Sequence, residues 1–110
     1  MRPPFCVLTI AGSDSGAGAG VQADQRTVAA LGGHALTAVT AVTAQDMRGV
    51  AAWKPVPAAL VGAQIDAVLG GFVVAAAKTG LLPGAATVRA VAAALRRHPR
   101  LPLVVEETAE

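Results

Sequence analysis

Cysteine is scarce in this chain, and long hydrophobic runs are missing. The single cysteine, Cys6, excludes a disulfide framework within the chain and predicts a reducing, cytoplasmic location. Because it lies inside an apolar run, we interpret it as a buried structural thiol rather than a nucleophile. The longest uncharged apolar run, residues 67–77, is far shorter than the ~20 residues of a membrane helix. Residues 1–4 precede only a short apolar segment, which predicts no signal peptide and a soluble protein.

Aromatic residues and charge are also sparse. With two phenylalanines, one tryptophan and no tyrosine, the chain offers few rings on which nucleic-acid bases could stack. Basic residues number nine against seven acidic ones, and they cluster only at Arg96, Arg97 and Arg100. This cluster falls at the end of a predicted helix, where cations suit the helix dipole, so we interpret it as a solvated helix end. The sequence therefore predicts no nucleic-acid partner.

The chain does have a glycine-rich stretch directly after its first apolar run. Residues 12–20 contain four glycines, and Asp14 and Asp24 lie within and just beyond them. Glycine permits positive φ and lets a ligand approach the main chain. The unpaired N–H groups at the start of the following helix suit a phosphate. From the residues alone, this stretch is either a tight strand–helix connection or a ligand-binding loop.

Two familiar phosphate-binding motifs fit this stretch poorly. Residues 18–23 match the dinucleotide fingerprint G-x-G-x-x-A by letter, but Asp46, which would hold the ribose, does not end a clean second strand. A P-loop requires G-x-x-x-x-G-K-[ST], and no lysine precedes Lys54, so a P-loop is excluded. Binding of a nicotinamide dinucleotide is therefore disfavoured.

Strand-like and helix-like segments alternate along the chain. Apolar, β-branched runs predict strands at 5–10, 36–44, 49–56, 72–77 and 101–105. Helical spacing, with glycine or proline at the ends, predicts helices at 21–31, 58–69 and 85–97. This alternation predicts an α/β fold with a doubly wound, mostly parallel sheet in one domain, residues 1–110. Ligands of such sheets bind at the carboxyl ends of the strands.

Several separate motifs together resemble one enzyme family. LTIAGSDSG (residues 8–16) is followed in register by GVQAD (20–24), ALG (30–32), TAVTAQ (40–45), GV (49–50), QIDAV (64–68) and AKTGLL (77–82). In this order and spacing they resemble the hydroxymethylpyrimidine/phosphomethylpyrimidine kinases, thiamine-biosynthesis enzymes of the ribokinase-like superfamily. The resemblance extends from Val7 to Val105, and a series of motifs is more specific than one glycine-rich stretch.

The resemblance implies a pocket for the small molecule 4-amino-5-hydroxymethyl-2-methylpyrimidine. Its hydroxymethyl oxygen, and then the resulting monophosphate, would receive a phosphoryl group from ATP with Mg²⁺. Gln45 matches the family's pyrimidine-reading glutamine, whose carboxamide can pair with a ring nitrogen and an exocyclic amine. Without the resemblance, Gln45 would be a surface residue at a strand end. The other substrate-binding residues that the resemblance implies are Ala19, Gly20, Asp24, Thr43 and Leu81.

Three charged residues near the implied pocket could have structural roles instead of contacting substrate or phosphate. Asp24, expected in the first helix turn, would either hydrogen-bond near the hydroxymethyl group or hold the glycine-rich stretch. We interpret Asp14 as a turn-stabilising aspartate rather than a catalyst. Lys78 would either neutralise phosphate charge or bond to loop carbonyls.

The resemblance covers only the N-terminal part of such a kinase. The family's glycine-rich anion hole with its catalytic cysteine, and its ATP and Mg²⁺ segments, lie further along, and Cys6 in the first strand cannot replace them. After Val105 the family continues with Asp-Pro-Val-Met or similar, whereas this chain reads EETAE, with Glu106 in place of that aspartate. We therefore assign no catalytic residue, expect the chain alone to be inactive, and expect an unpaired apolar edge at its last strand.

Two functions follow from these expectations. The chain is either the pyrimidine-binding part of a kinase, or a non-catalytic half-domain that binds a pyrimidine or pairs with a partner chain. The family tends to form homodimers, and an exposed sheet edge would favour self-association, so we expect a homo-oligomer.

Overall fold

A computed structural model of the chain describes residues 4–106. Its strands are β1 (Cys6–Ser13), β2 (His34–Asp46), β3 (Gly49–Pro55), β4 (Val74–Thr79) and β5 (Leu103–Val105). Its helices are α1 (Gly20–Ala30), α2 (Ala58–Gly71) and α3 (Ala85–Arg96). Every predicted element is present, with its ends within three residues of the predicted ones. The expectation that Asp46 does not end a clean second strand is wrong, because β2 extends to Asp46. The predictions about a signal peptide at residues 1–4 and about the sequence after Glu106 lie outside the described residues, apart from Pro4.

The five strands form one sheet in the order β3-β2-β1-β4-β5. All neighbours are parallel except β3, which pairs antiparallel with β2 through a short turn. The chain runs outward from β1 in both directions, and right-handed crossovers therefore place α1 on one face and α2 and α3 on the other. Accordingly, α1 packs on β1 and β2, whereas α2 and α3 pack against each other. The predicted α/β fold with a doubly wound, mostly parallel sheet is confirmed.

The main apolar core lies between the sheet and the α2–α3 layer. Alternate residues of a strand face the same side, and residues four apart on a helix share a face. The buried cluster that results consists of Leu8, Ile10, Leu36, Ala38, Val61, Ile65, Ala77, Val91 and Ala94. Each large aliphatic side chain buried here stabilises the fold by about 1.5–3 kcal/mol. Cys6 packs against this cluster but is half-buried, rather than buried as expected.

The face covered by α1 is far less apolar. Val21 is the only buried residue of α1, and Thr9 of β1 faces the helix with a hydroxyl group that bonds to Asp24. At the other end of the chain, Arg96, Arg97 and Arg100 are exposed, and Arg97 contacts Asp66 of α2. The interpretation of the arginine cluster as a solvated helix end therefore holds for the structure.

The sheet ends in an apolar edge at β5. In the described part of the chain β5 pairs with β4 alone, and Leu103, Val104 and Val105 are all exposed. An edge strand of this kind presents unpaired backbone groups to any further strand. No helix within residues 4–106 is long and apolar enough to cross a membrane.

Candidate functional site

A cavity of about 480 Å³ opens at the carboxyl ends of β1, β2 and β4. Its volume lies in the range of small-molecule sites, roughly 300–1,000 Å³. The sheet brings the ends of strands that are distant in sequence to one edge. All six predicted substrate-binding residues line this cavity: Ala19, Gly20, Asp24, Thr43, Gln45 and Leu81. Their role in binding a substrate stays a prediction.

A second cavity of similar volume, about 490 Å³, lies at the amino ends of β4 and β5. Phe72, His98 and Arg100 are among its lining residues, and none of the predicted site residues reaches it. The chemistry implied by the sequence is therefore concentrated at the carboxyl edge of the sheet.

Asp14 organises the glycine-rich turn. The amide N–H of Gly16 donates to Oδ1 at 2.7 Å, and those of Gly18 and Ala19 donate to Oδ2 at 2.9 and 2.8 Å. The carboxamide of Gln45 beside Asp14, together with these amides, holds the pKa of Asp14 below its usual range despite the carboxyl group's burial. The interpretation of Asp14 as turn-stabilising is confirmed. These three N–H groups already have an anionic partner, so the turn is not a free phosphate cradle.

Gly20 allows α1 to begin directly against the end of β1. Its φ of +63° is in the left-handed region, and a Cβ at this position would lie 2.2 Å from the carbonyl oxygen of Gly12. No side chain fits that space, so glycine is required here for two independent reasons. The close approach leaves backbone as the wall of the cavity at this point.

Asp24 and Lys78 form an ion pair in the lining of the cavity. Lys78 Nζ lies 2.9 and 2.8 Å from the two oxygens of Asp24 and 3.1 Å from Oε2 of Glu106. The hydroxyl of Thr9 donates to Asp24 Oδ2 at 2.6 Å. Partial burial of the Lys78 ammonium opposes its charge, but the two carboxylates outweigh that effect and raise its pKa.

For Asp24 and for Lys78, one of the two alternative roles is wrong, and the other stays a prediction. Because α1 begins at Gly20, Asp24 lies in the second turn of the helix, and Asp14 rather than Asp24 holds the glycine-rich turn. Lys78 bonds to carboxylates rather than to loop carbonyls. A hydrogen bond from Asp24 toward a substrate hydroxyl stays a prediction.

Gln45 and Thr43 come from the carboxyl end of β2, and Leu81 follows β4. The Thr43 hydroxyl donates to the carbonyl of Ser13 at 2.8 Å, which ties β2 to the last residue of β1. The carbonyl of Leu81 accepts a hydrogen bond from the buried Thr40 hydroxyl at 2.6 Å. Polar contacts thus fix both sides of the cavity mouth to the strands beneath.

The polar partners of the site were missed by sequence reasoning. Thr9 holds Asp24, Gln22 accepts from the Asp14 amide at 2.9 Å, and Ser15 bonds to the backbone of Gln45. One signal was available for Thr9, which is a polar residue within an otherwise apolar, buried strand. Nothing in the local sequence around Gln22 or Ser15 indicates its partner.

The described residues do not fit a bound nucleoside triphosphate or its metal ion. Within residues 4–106, no group of three or more His, Cys, Asp or Glu side chains is placed to hold a cation. The amides of the glycine-rich turn donate to Asp14, and Lys78 lies between two carboxylates. We therefore derive no phosphoryl-transfer step from these residues.

The mostly parallel α/β sheet, with a cavity between its strand ends and a glycine-rich turn, is the arrangement found in the ribokinase-like kinases that the chain resembles. Comparisons with known proteins agree. The profile of the phosphomethylpyrimidine kinase family matches residues 14–108, which is most of the chain. The chain belongs to the phosphomethylpyrimidine kinase family.

The relatives are considerably longer than this chain. The hydroxymethylpyrimidine/phosphomethylpyrimidine kinase of Mycobacterium leprae is 51% identical over 104 residues, which are 94% of this chain and 37% of the relative. That of Mycobacterium tuberculosis (strain H37Rv) is 54% identical over 107 residues, 96% of this chain and 38% of the relative. The chain therefore spans less than two-fifths of the length of these curated relatives.

Solved structures show the same partial match. The phosphomethylpyrimidine kinase of Clostridium difficile 630 superposes with a TM-score of 0.87 at 36% identity, covering 93% of this chain and 44% of that one. A Bacillus subtilis pyridoxal kinase, solved as an ADP complex, gives a TM-score of 0.84 at 31% identity over 93% of this chain and 40% of that one.

Proposed function

We propose that this chain forms the pyrimidine-binding part of a hydroxymethylpyrimidine/phosphomethylpyrimidine kinase of thiamine biosynthesis. The observation that carries this proposal is the convergence of Gln45 and the other five predicted residues on one cavity. In it, the Gln45 carboxamide pairs with a ring nitrogen and the exocyclic amine of the pyrimidine. Thr43 and Leu81 flank the ring, and the backbone at Ala19 and Gly20 approaches it closely.

The proposal places phosphoryl transfer outside the described residues. In the complete kinase, ATP with Mg²⁺ phosphorylates the hydroxymethyl oxygen of the pyrimidine and then the monophosphate. Catalysis of that step requires positioning and charge stabilisation of the transferred group. In this proposal, residues 1–110 correspond to the substrate-pocket portion of a ribokinase-like domain. The portion with the nucleotide site and the anion hole corresponds to the part of the longer relatives that this chain does not cover. We expect the 110-residue chain alone to be inactive and cytoplasmic.

An alternative is a non-catalytic half-domain that binds a pyrimidine or pairs with a partner chain. The exposed apolar edge at β5 supports this alternative, because it can accept a strand from another chain or from a second copy. The same edge supports the expected homo-oligomer.

Isothermal titration calorimetry with 4-amino-5-hydroxymethyl-2-methylpyrimidine tests the pocket. We expect the wild-type chain to bind and Gln45→Ala to bind at least about tenfold more weakly, because a buried donor and acceptor on the ligand lose their partner. Gln25→Ala is the matched control, since Gln25 is exposed on α1 and does not line the cavity. Absence of heat with the wild type, or equal affinity of wild type and Gln45→Ala, would contradict the proposed pocket.

A coupled assay for ADP tests the proposal that the phosphoryl-transfer groups lie outside this chain. We expect no turnover of ATP by the purified 110-residue chain, with or without the pyrimidine. Turnover would show that the chain itself holds the phosphoryl-transfer groups. Pyrimidine binding without turnover, and without rescue by the remaining portion of a mycobacterial relative added in trans, would favour the non-catalytic alternative.

A further inference from the structure

The end of β2 that carries Gln45 has no partner in β1 and is paired irregularly with β3. On one side β1 stops at Ser13, whose partner in the ladder is Val42, so the last residues of β2 extend beyond it. On the other side, the ladder with β3 shifts register between Ala44 and Gln45, and Ala51 is left without a partner. A β-bulge of this kind redirects a side chain and weakens the pairing that would hold it. The neighbouring strands therefore support Gln45 on one side only, through its pairing with Val50 of β3.

A single hydroxyl group takes over the missing pairing. Ser15 Oγ donates to the carbonyl of Gln45 at 2.6 Å and accepts from the amide N–H of Gln45 at 2.7 Å. A serine hydroxyl has one donor and two acceptor positions, so it can satisfy both backbone groups of one residue at once. Both bonds cross 30 residues of sequence and connect the glycine-rich turn to β2.

The contact is close as well as bonded. A Cβ on the neighbouring Gly16 would lie 3.4 Å from the Gln45 carbonyl oxygen and 3.6 Å from Cα of Asp46, so the turn lies directly against this backbone. Ser15 itself is exposed and does not line the cavity that contains the six predicted substrate-binding residues. Its hydroxyl bonds to the backbone of Gln45, and it can act through that residue on a ligand in the cavity.

We propose that Ser15 is a positioning residue, which fixes the Gln45 backbone and thereby aims its carboxamide at the 4-amino group of the pyrimidine. The inference rests on the proposed function. It makes discrimination between amino- and desamino-pyrimidines depend on a hydroxyl that does not touch the ligand.

Two measurements on the 110-residue chain test the proposal separately from the function. The first is the hydrogen-exchange rate of the Gln45 amide without ligand, by NMR. The second is the ratio of affinities for 4-amino-5-hydroxymethyl-2-methylpyrimidine and for 5-hydroxymethyl-2-methylpyrimidine, by calorimetry. The variants are Ser15→Ala, the hydroxyl-retaining Ser15→Thr, and Ser15→Ala combined with Gln45→Ala. Thr27→Ala is the matched control, because the Thr27 hydroxyl is exposed and bonds to a helix carbonyl.

We expect Ser15→Ala to speed exchange at Gln45 and to weaken binding of the amino compound about three- to tenfold, the size of about one net hydrogen bond. Binding of the desamino compound is expected to change little. Ser15→Thr and Thr27→Ala are expected to behave as the wild type. In the Gln45→Ala background, Ser15→Ala is expected to have no further effect on either ligand.

Equal weakening of both ligands by Ser15→Ala, or a further loss in the Gln45→Ala background, would overturn the positioning role in favour of general loosening. Wild-type affinity in Ser15→Ala would overturn it as well. If the wild type binds neither pyrimidine, the proposed function fails and the specificity role fails with it. In that case the exchange rate still decides the contact, because an unchanged rate in Ser15→Ala shows that Ser15 does not hold Gln45.

Discussion

The cavity has two walls that each hold an aspartate, by different means. In the glycine-loop wall, residues 12–20, the carboxylate of Asp14 accepts from three backbone N–H groups. In the charged wall, formed by Asp24, Lys78 and Glu106, the carboxylate of Asp24 accepts from an ammonium and a hydroxyl.

The two walls differ in what holds the aspartate, which is the backbone conformation in one and a charged side chain in the other. Backbone donors are fixed by the conformation of the turn, and a change there alters the backbone itself. The ammonium of Lys78 is at the end of a flexible side chain, about a quarter exposed, and can exchange partners or recruit water. Substitutions in the glycine-loop wall should therefore lower the free energy of unfolding strongly, and substitutions in the charged wall should lower it less. Four predictions test this contrast, from the largest expected effect to the smallest.

Gly20→Ala should have the largest effect. The added Cβ would meet the Gly12 carbonyl oxygen at a φ that alanine disfavours, so we expect a loss of about 3 kcal/mol or more in the free energy of unfolding. Gly32→Ala is the control, because Gly32 also has a positive φ but has open space around it, and should lose only about 1–2 kcal/mol. Urea denaturation measures the free energy of unfolding of both variants. Equal losses would show that the backbone of the glycine-loop wall can shift to accommodate a side chain at position 20.

Asp14→Ala should come next. The substitution leaves the N–H groups of Gly16, Gly18 and Ala19 without their common acceptor, so we expect a clear fall in melting temperature and faster amide exchange throughout the turn. Asp46→Ala removes a second aspartate of lowered pKa, whose chief partner is the exposed Arg48, and should change the melting temperature little. A similar fall in both variants would remove the distinction between backbone and side-chain partners.

Lys78→Met should have a moderate effect on the charged wall. It leaves two carboxylates facing each other without a cation, and we expect a loss of about 1–2 kcal/mol, because the site is partly open to water. Glu106→Gln should cost less than about 0.5 kcal/mol, since Glu106 is half-exposed and the Asp24 pair survives. The two variants are compared by urea denaturation at one ionic strength. A larger loss for Glu106→Gln than for Lys78→Met would contradict the assignment of Lys78 and Asp24 as the main ion pair of this wall.

The smallest effect is the loss of the Asp14 contribution to the glycine-loop wall in acid. The folded-state pKa of Asp14 is lowered, so its contribution to stability is complete above the ordinary value for aspartic acid and is lost as the pH falls through the lowered value. The raised pKa of Lys78 has the opposite sign, and its contribution is lost only on alkalinisation. The stability difference between wild type and Asp14→Asn should therefore shrink in acid. A constant difference from neutral to acidic pH would contradict this assignment.

Short-range features of the site could be read from the sequence. Asp14 contacts amides within five residues of itself, and its role as a turn-stabilising residue followed from residue type and spacing. The apolar runs and helical spacing likewise predicted every element, because burial imposes a period on each strand and helix. Element ends were less accurate. Phe72, for example, was assigned to a strand but follows α2, which extends to Gly71.

Long-range pairings could not be read in the same way. Lys78 meets Asp24 across 54 residues, and Ser15 meets Gln45 across 30, and many other polar residues of the chain could have been paired as plausibly. The parallel sheet selects these pairs by aligning the ends of β1, β2 and β4 at one edge. The register at the end of β2 is also a tertiary outcome, since the bulge opposite Gln45 depends on how β3 returns along β2.

By itself, the sequence determined the fold class, the family and six of the residues that line the cavity, because periodic burial and a series of spaced motifs can be read along the chain. Only the tertiary structure decided what each of those residues contacts. Asp14 rather than Asp24 holds the glycine-rich turn, Lys78 is paired with carboxylates, and a serine outside the cavity holds Gln45. The physical reason is that a hydrogen bond or ion pair requires two groups within about 3 Å of each other, and packing of the sheet, not spacing along the chain, sets that distance.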